Sequence, residues 1–312
     1  LDRYHQRRQS VDVRSPWAVL HWIVAYGCDT QLYVSPTRPS VTAVGWLLWN
    51  GRCAGQGILY VDGDGRVAAH RGPGSQGHDG QLLAYISQGR VPLDYPLRAE
   101  GKSFTLADIV EYEKRTCEPG TELTFKLIGL ANYLPADAKW KSQSGQDWSI
   151  ERLVREELAQ DVRSAACGGS HRMMGFSTAL RRRRAEGGQM TGDFARAEQF
   201  VADYHRYTLS LQNSDGSFSS EWFNRRGQTT DPERALETSG HVLEWLTYSL
   251  SDRELADARI TKAVGYVADL LATRPDQDWK IGPLGHALHG LVTYEKRVFK
   301  TWQAPTAIAQ AP

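Results

Sequence analysis

Two kinds of helix-like segment alternate along this chain, and the alternation restricts its fold more than any other feature. Segments 16–26, 78–89, 123–134, 171–180, 237–250 and 285–294 are apolar nearly all round. Segments 105–117, 149–160, 193–212 and 257–273 carry a charged face opposite an apolar one. A helix apolar on every side is enclosed on every side, and an amphipathic one covers an exterior. Enclosed inner helices wrapped by amphipathic outer ones satisfy both patterns. The expected fold is therefore mainly α, an α/α toroid with six candidate inner helices, the number in an (α/α)6 barrel. One stretch departs from the helical rhythm. ILYVDGDGRVAAHRG (58–72) alternates apolar residues around Asp62-Gly63-Asp64-Gly65, which predicts a single β-hairpin near the N-terminus, partly replacing the first outer helix. Segment 41–51 is readable as helix or strand.

Residues 1–15 are charged without a clear apolar period and read as an arm or frayed end. Residues 16–300 read as one domain, and 301–312 as a weakly structured tail. The start at Leu1 rather than Met points to removal of upstream residues, a targeting segment among the candidates. A net charge of +1 gives no global field for nucleic acid or an anionic membrane. The basic run Arg181–Arg184 reads as a solvated helix end. No apolar stretch reaches the roughly 18–20 residues of a transmembrane helix. Four cysteines are too few for a disulfide scaffold; Cys28 and Cys53 either pair or remain buried thiols.

LSLQNSDGSFSSEWF (209–223) resembles the Q-x-x-D-G-S-F/W motif of the terpene cyclase and protein prenyltransferase superfamily. The resemblance implies the α/α toroid over about residues 75–298. It also implies structural roles: Gln212 at a helix end, Asp215-Gly216 in a tight turn, Phe218 packed on the neighbouring repeat. The chemistries of that superfamily are not implied. Its D-x-D-D acid has no counterpart beyond the turn-like Asp62–Gly65, no Asp-x-Cys zinc pattern occurs, and Ala166–Ser170 lacks the Glu-Gln of the thioester families.

Four histidines share one local setting, a turn-prone run followed by His and an apolar stretch: His78, His171, His241 and His286. Inner helices of a toroid run in one sense, so their starts gather at one mouth. A helix start carries about half a positive charge, which biases imidazole toward its neutral form. Neutral imidazole serves as a metal ligand or a general base. Capping and packing are the competing roles. Cys167 lies four residues before His171, and Glu237 four before His241. Cys167, His171 and His241 therefore form a candidate zinc set with one position left open.

The expected function is an enzyme using a His/carboxylate cluster, with or without zinc, at the mouth of an aromatic-lined cavity. His171 and His241 are its candidate acid/base groups, with Glu237 orienting His241 or acting as partner acid. His78, Asp79, Lys126, Arg172, His286, Trp222 and Trp279 are the candidate ligand-binding residues. Lys126 is the least expected charge; it either pairs with Glu122 one turn earlier or faces the cavity. Hydrolysis, lyase or transfer chemistry on an isoprenoid, glycan or peptide fits this lining better than carbocation cyclisation. The alternative is a non-catalytic toroid that presents a pocket to a small molecule, glycan, peptide or partner protein.

Overall fold

The computed structural model describes residues 1–35, 37 and 40–300; the tail at 301–312 lies outside the described residues. The N-terminal third contains α1 (Asp2–His5), β1 (Gln9–Ser10), α2 (Pro16–Tyr26), β2 (Gln31–Tyr33), β3 (Val41–Thr42), α3 (Ala43–Leu48), β4 (Leu59–Val61), β5 (Val67–Ala69) and α4 (Gln81–Gln88). Next come β6 (Pro96–Ala99), β7 (Lys102–Thr105), α5 (Leu106–Arg115), α6 (Thr124–Tyr133), β8 (Lys139–Lys141), β9 (Asp147–Ser149) and α7 (Ile150–Leu158). The C-terminal half is helical: α8 (Ser170–Ala185), α9 (Gly192–Leu211), α10 (Pro232–Ser249), α11 (Asp252–Leu255), α12 (Ala258–Ala272) and α13 (Ile281–Tyr294).

The local causes are ordinary ones. Ser15 accepts from the Ala18 N–H and Pro16 opens α2, which stops at Gly27 with φ 103°. Thr105 and Asp108 close a capping box at the start of α5. The ambiguous segment 41–51 resolves as a short bridge and α3, capped by Thr42.

The all-round apolar segments pack in a cycle. α2 meets α4, α4 meets α6, α6 meets α8, α8 meets α10, α10 meets α13, and α13 returns to α2. Contacts climb in step across each pair, so neighbours run parallel. Gly80 touches Lys126 and Gly129 touches Leu83 between α4 and α6. Phe125 faces His171 and Ile128 lies by Gly175 between α6 and α8. His171 meets His241, and Ser177 accepts from Trp245, between α8 and α10. Gly240 lies on Ala287 and Gly290 on Glu244 between α10 and α13. Gly282 meets Trp17 and Gly285 meets His21 between α13 and α2. The starts of these helices consequently share one end. Amphipathic α5, α7, α9 and α12 pack outside them, each against one or two ring helices.

Three findings depart from the sequence expectation. Beyond the β4–β5 hairpin there are two more, β6–β7 and β8–β9, each just ahead of an outer helix. One turn recurs in β4–β5, β8–β9 and the loop after α9. Asp62, Ser142 and Asn213 each donate N–H to the residue four ahead, and Gly65, Gly145 and Gly216 donate back at 2.9–3.0 Å. The Gln212–Phe218 motif is thus one copy of a repeated turn; Gln212 also donates to the Arg259 carbonyl of α12 at 2.9 Å. Finally, residues 1–15 are docked. Tyr4 is buried and donates to the Leu271 carbonyl, and β1 pairs with β2 in a three-stranded sheet. Cys28, Cys53 and Cys117 are buried and unpaired, and Cys167 is also a free thiol. Among the described residues no helix is long and apolar enough to cross a membrane.

Candidate functional site

The small residue ahead of two of the central histidines is a packing device. Gly240 lies against Ala287 and Gly285 against the His21 backbone, where an added Cβ would stand 2.8 and 2.7 Å from the neighbour. Successive helical residues point about 100° apart. With glycine filling the helix–helix contact, the next side chain turns to the ring axis. His241 and His286 reach it in this way, with ring centroids 4.1 Å apart. His171 lies 5.3 Å from His241 and 4.9 Å from His286. His78 joins at 6.0 Å from His171, and His21 at 5.3 Å from His286.

Depth along the axis differs from the sequence expectation. His78 precedes α4 and His171 is in the first turn of α8. His241 and His286 sit farther in, because Asp231 caps α10 well upstream and α13 begins at Ile281. Neither ring therefore lies at a helix start.

The ring nitrogens are organised. His21 Nδ1 lies 2.7 Å from the Trp17 carbonyl and His241 Nδ1 2.6 Å from the Glu237 carbonyl. A carbonyl only accepts, so Nδ1 donates and the lone pair of each neutral ring is on Nε2. His78 Nδ1 meets the Glu122 carboxylate at 2.8 Å. His286 and His289 both donate Nδ1 to Glu244, at 2.8 and 2.6 Å. An Nδ1–H anchored on a carbonyl or carboxylate, with Nε2 left free, is the arrangement that supports metal-ligating histidines. His171 is the exception: both its ring nitrogens are buried without a hydrogen-bond partner among the described residues. Leaving such a group unsatisfied costs about 1–3 kcal/mol.

Cys167 stands beside it. The run Cys167-Gly168-Gly169 takes positive φ at three successive residues, 50°, 60° and 86°. Gly168 lies under the Trp222 ring, and Trp222 is itself left-handed at φ 56°. This turn folds the thiol back toward α8. Donor atoms of Cys167, His171 and His241 all lie within 4.8 Å of one another. Bonds of about 2.0–2.3 Å place donors around one zinc roughly 3.5 Å apart, so the set closes on an ion by a small contraction. The donor types and the orphaned imidazole fit a zinc-type metal.

Electrostatics agree with that fit. Burial, then the neighbouring His286 and His241, hold the His171 pKa well below 6.5. Burial and His286 do the same at His241, and His21 falls to about 3 through burial and His286. These rings are neutral at physiological pH and free to coordinate. Burial would raise the Glu244 carboxyl, but His286 and His289 override it and keep it ionised. Burial, then Glu237, Glu244 and Glu122, push the Cys167 thiol up to about 12. Without a cation beside it, Cys167 stays protonated.

The other sequence candidates lie as follows. The Glu237 carboxylate pairs with Arg234 at 2.9 Å; its carbonyl, not its carboxylate, orients His241. Trp222 meets His241 edge-on at 5.6 Å, with the Arg234 guanidinium 5.3 Å from its centroid. Asp79 pairs with Arg71 at the surface. Lys126 neither pairs with Glu122 nor faces the imidazoles: it donates to Glu113 and Thr116, both at 2.6 Å. Arg172 is buried on Glu157 at 2.8 Å and holds Gln160 and the Asp161 carbonyl. An unpaired buried charge is prohibitive, so these two buried cations, Lys126 and Arg172, are each matched by a carboxylate of an outer helix. Trp279 donates to Tyr4 and secures the N-terminal arm. Sequence reasoning passed over His21, Glu244 and His289. The available signal was a lone carboxylate within the apolar stretch His241–Leu250 and a second histidine in LGHALHG.

Compared with family models, curated proteins and solved structures, the chain matches none, so the functional reading rests on this geometry.

Proposed function

We propose that the chain is an α/α toroid enzyme with a zinc-type centre on Cys167, His171 and His241, acting by hydrolysis or group transfer on a small ligand. The closed cycle of parallel helices with amphipathic helices outside supports the toroid. The recurring turn ahead of outer or inner helices is in keeping with a diverged repeat array. One observation carries the site: an imidazole with no partner for either nitrogen among the described residues, adjoining a thiol and a second imidazole whose Nδ1 is already engaged.

Three protein donors leave a position open, and a metal held there would supply Lewis acidity to a ligand oxygen. The remaining roles belong to the protein. The Glu237 carbonyl fixes the His241 tautomer. His78, held by Glu122 and with 19% of its side chain exposed, is more exposed than His286 or His289. Half-buried Trp17, with Trp222, gives the mouth its aromatic edges. A ligand entering there meets one face of neutral imidazoles and a rim of carboxylates.

Metal analysis of protein purified with added zinc tests this reading. The expected result is one zinc per chain, lost in Cys167→Ala, His171→Ala and His241→Ala and kept in His70→Ala, whose ring stacks on Tyr60. Folded wild-type protein that binds no stoichiometric divalent metal would overturn it.

A further inference from the structure

Glu244 is a single carboxylate on α10 whose two oxygens are divided between two imidazoles of α13. His286 Nδ1 bonds one oxygen at 2.8 Å and His289 Nδ1 the other at 2.6 Å. Only 7% of the Glu244 side chain and 3% of the His286 side chain are exposed. Residues 286 and 289 are neighbours on one helical face, so one carboxylate reaches both. Its own origin is fixed as well. A Cβ at Gly290 would stand 2.9 Å from the Glu244 backbone nitrogen, so the two helices touch at the root of this side chain. No arginine or lysine shares the carboxylate among the described residues.

We propose that Glu244 is a positioning residue that sets the tautomer of two imidazoles at once, so that His286 turns an Nε2 lone pair on a protic ligand held between His171 and His241. The ligand class is a small hydroxyl or thiol compound, water included. The ligand O–H or S–H donates a hydrogen bond to that lone pair. This rests on the proposed site for the use of the lone pair, but the tautomers themselves need no metal.

Long-range 1H–15N spectra of histidine-labelled, chelator-treated protein at pH 8.5 test the proposal. His286→Gln and His289→Gln supply the assignments. Both rings are expected as neutral Nδ1–H tautomers. In Glu244→Gln, which offers one acceptor and one donor, at least one ring switches to Nε2–H, while the variant still takes up the same zinc as wild type. An Nε2–H or doubly protonated ring at either position in wild type overturns the proposal, and so do unchanged spectra in the variant. If Glu244→Gln does not fold, the wild-type tautomers decide alone. A protein that binds no zinc yet shows both Nδ1–H rings sinks the metal reading and leaves this one standing.

Discussion

His21 is enclosed within the ring, and its proton affinity reports how much water the helices exclude. In the unfolded chain the ring titrates near 6.5; in the folded protein burial and His286 bring it to about 3. His205, stacked on Trp245 away from the centre, falls to about 4 for the same first cause. Between those values and 6.5 the unfolded state binds protons that the folded state refuses. Stability is therefore complete above 6.5 and declines as pH drops, by about 1.4 kcal/mol per pH unit for each such group. Urea unfolding at pH 8.0, 6.5 and 5.5 should show equal midpoints at the first two values within about half a molar, and a clear fall at the third. His205→Gln should flatten the fall by about half of the share due to these two groups. A midpoint at pH 5.5 equal to that at pH 8.0 would show that these imidazoles are not excluded from water.

The link from Ala166 to α8 is the element on which the proposed site depends. Its geometry requires glycine twice, and Gly168 is the tighter constraint: an alanine Cβ would stand 2.1 Å from the Trp222 ring at a φ of +60°. Left-handed backbone and overpacking together cost roughly 2–4 kcal/mol. Gly168→Ala should lower the thermal midpoint by several degrees and speed the reaction of Cys167 with a chromophoric disulfide. Combining it with Trp222→Gly should recover part of the loss. The main helices were legible at this scale because their apolar and amphipathic patterns differ, and Gly-His pairs marked two axis-facing positions. The extra hairpins were not, since Leu97 and Ala99 are the only inward residues of β6 and leave little alternation to read. The pairing of Lys126 and Arg172 is hidden from the sequence for a different reason. Their partners, Glu113 and Glu157, lie 13 and 15 residues away on outer helices, beyond any local spacing rule.

Across the whole molecule, the first and last ring helices are adjacent, and the N-terminal arm covers their junction. Tyr4 bonds the Leu271 carbonyl and accepts from Trp279, Arg7 caps the Pro275 carbonyl, and Tyr26 donates to the Leu1 carbonyl. Removing residues 1–8 strips these contacts. The truncated protein should unfold at lower urea concentration, with protease cleavage appearing first around residues 271–280 rather than in the α4–α6 region. Unaltered resistance there would assign the arm no part in closure. The arm's role was hidden in the sequence because its apolar anchors, Tyr4 and Val11, are too sparse to give a period. Six of the nine histidines meet around one axis, and four of those six were recognisable beforehand.

Adjacency of α2 and α13 also imposes an order on biosynthesis. His286 and His289 leave the ribosome 42 and 45 residues after Glu244, which lacks these two imidazoles until they emerge. A chain whose translation stops early, however much of it has already coiled, carries no finished centre.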